Sequence, residues 1–237
     1  DPDLWRNLFD VEAPNHQLDI DLEQFGPYPF KELPRDYSAA VAKLGVEAIG
    51  GAGTVPWRVE EIYGKLRKEF ADYSRRPNAT SQENLVMYAA ALTHYISDAH
   101  VPFHAVANYD GQLTNQRGIH SRFETGTFTR FRGRLTIAPK PIAPVASPRD
   151  LTFDALIEGA RIHTDVLRAD AAAIGTKDVY DNAYFEAFFR DVRPVLERRL
   201  SESISASAAL IAGAWEAAGR PAVPVEFPAQ SPQKRQR

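Results

Sequence analysis

The sequence predicts an all-α fold, with one multi-helix domain over residues 1–220 and a flexible tail over residues 221–237. Three observations carry this. Apolar residues recur at three- and four-residue spacing over long stretches. No series of alternating strand-like segments appears, and neither an internal repeat nor a domain linker interrupts the helical stretches.

The elements follow in order. Residues 1–37 are rich in proline, aspartate and aromatics, which reads as loops with short helical turns. Residues 38–48 predict a short helix, and GGAGTVPWR then breaks the chain. Pro56 can begin the next helix, because its missing N–H costs nothing in a first turn. There Val59, Ile62, Tyr63, Leu66, Phe70 and Tyr73 keep helical register. The following helix opens with Thr80-Ser81-Gln82-Glu83, which fits a capping box. Leu85, Tyr88, Ala89, Leu92, Tyr95 and Ile96 form one stripe, and Met87, Ala90, Ala91 and His94 fill the other side. A helix apolar nearly all round is expected to be central. Pro102 ends or kinks it. Residues 105–150 read mainly as loop, with RLTIAPKPIAPVASPRD the most proline-rich part. Helices are expected over 151–174 and over 180–218, the second broken near Pro194. On it Phe185, Phe188, Phe189, Val192, Leu196 and Leu200 predict a core stripe.

Composition bounds the function. The chain has 237 residues, 44% of them hydrophobic, so it can bury a sizeable core. A net charge of −3 argues against broad electrostatic attraction to nucleic acid or anionic lipid, though either can still be a substrate. No apolar run reaches the roughly 18 residues of a membrane span. The chain opens on Asp1 rather than Met and reads as trimmed or processed there. There are no cysteines, so any metal must be held by His, Asp and Glu.

HYISDAHVPFH, residues 94–104, gathers three of the six histidines around one aspartate. His94 and Asp98 are four residues apart, on one helical face. His104 lies just past Pro102. In IHSRFE, His120 and Glu124 repeat the four-residue spacing. One such pair is commonly only a hydrogen-bonded pair; two joined by HVPFH point to a metal. Nitrogen and oxygen ligands of this kind suit zinc, and less often manganese or iron. His16, in PNHQLDID, adds a ligand from the N-terminal segment, with Asp3 and Asp1 upstream. Asp19 is placed to orient the His16 ring. The expected centre therefore lies between the helices and the N-terminal segment. His100 sits off the ligand face, as a supporting or core histidine, and His163 reads as structural. Arg130, Arg132 and Arg134 read as a solvated basic loop.

HYISDAHVPFHA followed by IHSRFE resembles the zinc-dependent phospholipase C and single-strand-specific nuclease superfamily. Its pattern is His-x3-Asp-x5-His, a loop, then His-x3-Asp/Glu. His94, Asp98, His104, His120 and Glu124 fill the five places, and Pro102 stands where the family has proline. The resemblance is strong over residues 85–125 and looser at PDLWRN and PNHQLDID. It implies an all-helical, exported zinc hydrolase, secreted or periplasmic. His94 and Asp98 would share one zinc with His16 and Asp3, with Asp1 as the alternative to Asp3. His104, His120 and Glu124 would hold a second. Asp98 would bridge to a third, whose other family ligands are an N-terminal Trp and a nearby His. Trp5 is not N-terminal here and no His precedes His16, so two or three zinc ions are implied.

The implied reaction is phosphodiester hydrolysis by metal-activated hydroxide, with Asp3 and Asp98 as catalytic carboxylates. Glu124 leans towards a phospholipid substrate, whereas His100 in DAHVP leans towards single-stranded nucleic acid. Tyr109, Phe123, Tyr28 and Phe30 are the candidate stacking aromatics for bases. Two other readings stand beside this one: a phosphomonoesterase, and a helical protein whose metals only staple the fold.

Overall fold

In the computed structural model, residues 2–223 are described. Asp1, the alternative N-terminal ligand, and the tail beyond residue 223 lie outside them. The described residues are all helix and loop, without strands, and the domain is built around four long helices.

The N-terminal segment folds as the short α1 (Pro2–Leu8), a 3-10 turn (Asp10–His16) and a second turn (Glu23–Phe25). Helices α2 (Tyr37–Leu44) and α3 (Val46–Ala52) replace the single helix expected over residues 38–48. Gly45 between them has φ of +90°, which glycine alone adopts cheaply and which no helix continues through.

Helix α4 (Val55–Arg75) starts as read, with Pro56 in its first turn. Helix α5 (Ala79–Asp98) begins earlier than the capping box implied. Asn78 is its cap: the Ser81 N–H donates to Asn78 Oδ1 at 2.9 Å, and Thr80 falls inside the first turn. Leu85, Leu92, Tyr95 and Ile96 are buried, but Val86 and Met87 face solvent, so α5 is central along one stripe rather than all round.

Helices α8 (Pro148–Ile174) and α9 (Asn182–Ala217) complete the bundle with α4 and α5. Pro194 does not break α9. It sits on the exposed face, where the carbonyl its ring leaves unbonded can be hydrated. One apolar cluster joins α4, α5 and α8 through Leu66, Leu92, Tyr95 and Leu156. A second gathers Phe103, Ile119, Phe123 and the α9 residues Phe185, Phe188 and Phe189. Leu200, expected in that stripe, is only partly buried.

The stretch over 105–150 is less irregular than expected. It contains α6 (Ile119–Ser121), a π turn (Arg122–Thr127), α7 (Phe128–Phe131) and a 3-10 turn (Arg132–Arg134) in unbroken succession. The proline-rich part then runs extended along α9. The N–H groups of Thr136, Ala138 and Lys140 donate to Glu197 Oε1, Ser201 Oγ and Ser205 Oγ at 2.8, 3.0 and 3.0 Å. Two extended residues span roughly 6.6 Å and four helical residues about 6 Å, so the two repeats stay in step.

Candidate metal centre

Two groups of ligand-type side chains form among the described residues. In the first, Asp3 from α1, His16 from the end of the 3-10 turn and His94 from α5 bring one ligand atom each within 4.8 Å of one another. In the second, His104, His120 and Glu124 do the same. His104 stands on a 3-10 turn (Pro102–Ala105), His120 on α6 and Glu124 on the π turn.

Asp98 ties the first group together. Its Oδ2 lies 2.9 Å from His16 Nδ1 and 3.2 Å from His94 Nε2. Those two nitrogens are 3.1 Å apart. Two ring nitrogens and a carboxylate oxygen at such separations form the donor set a divalent ion takes. Burial raises the Asp98 carboxyl, but hydrogen bonds to His16 and His94 outweigh it and hold the group down to about 2. Burial lowers the His94 imidazole, and its bond to Asp98 brings it above its ordinary value.

In the second group Glu124 Oε2 lies 2.9 Å from His120 Nε2 and 3.9 Å from His104 Nε2. Burial raises Glu124, and the two imidazoles more than reverse this. His104 Nδ1 donates to the His16 carbonyl at 2.6 Å. A carbonyl only accepts, so Nδ1 carries the proton and Nε2 is the nitrogen on the side of Glu124. The same bond fastens one group to the backbone of the other.

The support of His16 differs from the expectation. Its Nε2 is buried without a hydrogen-bond partner and stands 4.0 Å from Glu12 Oε1. Glu12 is itself buried, accepts from the Tyr95 hydroxyl, and pairs with Arg58 Nη2 at 3.2 Å. Among the described residues no hydrogen bond joins Asp19 to His16. Asp19 is held up to about 6, first by burial and then by Asp21, against the pull of His104. Glu12 stands four residues before His16, the spacing of the other two pairs, and that was the one signal in the sequence; its partners Arg58 and Tyr95 are distant in the chain.

A second missed support holds the His120–Glu124 segment. Arg122, lying between those two ligands in sequence, reaches the fully buried Asp170 on α8 at 3.0 Å. Tyr184 and Gln116 bind the same carboxylate.

The remaining candidates stand apart from both groups. His100 is buried, with Nδ1 donating to the Ile96 carbonyl at 2.7 Å. His163 meets the Asn108 carbonyl and packs edge-on against Phe103. Arg130, Arg132 and Arg134 are exposed, but on α7 and its 3-10 extension rather than a loop; Arg130 stacks on Phe185 at 3.8 Å and Arg134 pairs with Glu186. Tyr28 and Tyr109 are exposed, whereas Phe123 is buried.

Asp98, bonded to two members of the first group, and Glu124 of the second both line a cleft of about 360 Å³. No family model matches the chain, and no curated protein or solved structure matches it either. Fold and site define an all-helical protein with two candidate metal-binding groups built from His, Asp and Glu. No described helix is long and apolar enough to cross a membrane.

Proposed function

We propose that the chain is a zinc-dependent hydrolase of phosphoric esters, acting on phosphodiesters of phospholipid or single-stranded nucleic acid. The observation that carries the reading is the pair of three-residue groups, with Asp98 bonded to both histidines of the first and lining one cleft together with Glu124 of the second. The donors fit the metal: they are nitrogens and oxygens without thiolate, and two of the four rings, His104 and His16, have the other nitrogen bonded or shielded. The sequence resemblance adds the reaction class, two or three zinc ions, and an exported location, secreted or periplasmic.

Bound zinc supplies a water acidified to a pKa of about 7 and positive charge for the reacting phosphate. The chain's own residues do the rest. Asp98 stays ionised and holds the His16 and His94 rings in register. Asp3, the most exposed member of the first group at 57%, orients the attacking water and takes its proton on a carboxylate oxygen. Glu12 faces the outer nitrogen of His16 and fixes that ring.

The test is hydrolysis of phospholipid, single-stranded nucleic acid and a simple phosphomonoester, with chelator and after zinc is restored. Diester cleavage lost with chelator, regained with zinc and absent in His94→Ala supports the reading. Activity on the monoester alone would make the chain a phosphomonoesterase. Full metal content without cleavage of any ester would leave the metals as staples of the fold.

A further inference from the structure

The cleft that Asp98 and Glu124 line has a character that the metal ligands do not dictate. Asp98 and Glu124 are among the residues that line it, and Val101, Phe123, Phe128, Leu196 and Leu200 supply its apolar walls. At about 360 Å³ it lies near the small end of ligand pockets.

Its polar members carry no spare positive charge. Arg199 is buried, and its guanidinium is taken up by carbonyls: Nε donates to the His100 carbonyl and Nη2 to that of Ala155, both at 2.8 Å. Its Nη1 pairs with Glu202 at 2.7 Å. His100 also lines the cleft, and its Nδ1 proton is committed to the Ile96 carbonyl. Its Nε2 is then a lone-pair acceptor. A phosphate, or a second charge on a substrate, would lose its hydration there and find no cation in return.

Resting on the hydrolase reading, we propose that this cleft binds one compact, uncharged, apolar substituent of the phosphate ester, the ester itself lying at Asp98 and Glu124. The five apolar walls select that substituent by area. A chain of further phosphates does not run through the cleft.

The test compares phenylphosphonate with methylphosphonate, titrated calorimetrically into zinc-loaded protein. Both carry the same head for the metal centre and differ only in the group offered to the cleft. Phenylphosphonate is expected to bind about tenfold more tightly or better, the usual worth of a filled apolar pocket. Phe128→Gln and, as a second variant, Leu200→Gln should remove that preference and leave methylphosphonate binding unchanged. Phe128 is 39% exposed on α7, so its replacement leaves the core intact. Equal binding of the two phosphonates to the parent protein overturns the cleft assignment while the metal-centre reading stands. Binding of neither overturns both. Persistence of the phenyl preference in both variants also overturns the cleft assignment.

Discussion

His16 Nδ1 and Asp98 Oδ2 lie 2.9 Å apart across 82 positions of sequence. This contact fixes the N-terminal segment to the end of α5 and sets the first metal group. Asp98→Asn keeps the shape and removes the charge. Metal affinity at that group should fall by about 100-fold, the upper range for lost support of a ligand set, and more if Asp98 binds the ion directly. Competition with a chelating dye reads this. Unchanged affinity would remove Asp98 from the centre.

Glu12 offers a separate test, because it touches no other proposed ligand than His16. Glu12→Gln should weaken metal binding by about 10-fold or more. Tyr95→Phe removes the hydroxyl that donates to that carboxylate and accepts from Arg58 Nη2, and should cost about 1.5–3 kcal/mol of stability. If Glu12→Gln binds metal as the parent does, Glu12 does not tune His16.

Arg122 and Asp170 test the second group from below. Asp170→Ala leaves the Arg122 guanidinium without its carboxylate in a buried setting. The expected loss is about 3–5 kcal/mol, the cost of breaking one side of a buried pair. Denaturant unfolding measures it. A loss below about 1 kcal/mol would mean that water replaces the pair.

The folded chain without metal and the loaded chain should respond to pH with opposite slopes. His94 and His104 sit above their ordinary value, each through a carboxylate partner that outweighs burial. Their contribution is complete below about pH 6.5 and is lost as pH rises through the raised values. Asp98 and Glu124 are depressed, so theirs is present above about pH 4 and is lost as pH falls towards about 2 for Asp98. Metal binding needs neutral imidazoles and strengthens with pH. The melting-temperature gap between loaded and metal-free protein should therefore widen from about pH 6 to about pH 8. A gap that narrows over this window contradicts the ligand assignment.

The helical class and the two His–carboxylate pairs were legible because both rest on local spacing. Four residues along α5 place His94 above Asp98, and the same spacing brings His120 to Glu124 where α6 passes into the π turn. The α2–α3 split and the Asn78 cap were missed through local details: a positive-φ Gly45, and a side chain two residues before the expected cap. The unbroken course of α9 depends on which face Pro194 occupies, and that is decided by packing. Asp170 was illegible for a further reason: it serves the centre only through partners distant in the chain. Glu12 stands four residues before His16, a spacing that could have marked it, but its burial and its bonds to Arg58 and Tyr95 are set by packing.

The most direct measurement is zinc per chain, by elemental analysis of protein purified without chelator, repeated for His94→Ala and His120→Ala. Two or more equivalents are expected in the parent, with each variant losing at least one. No bound metal, even after zinc is restored, would contradict the account and leave the histidines of HYISDAHVPFH held by hydrogen bonds alone.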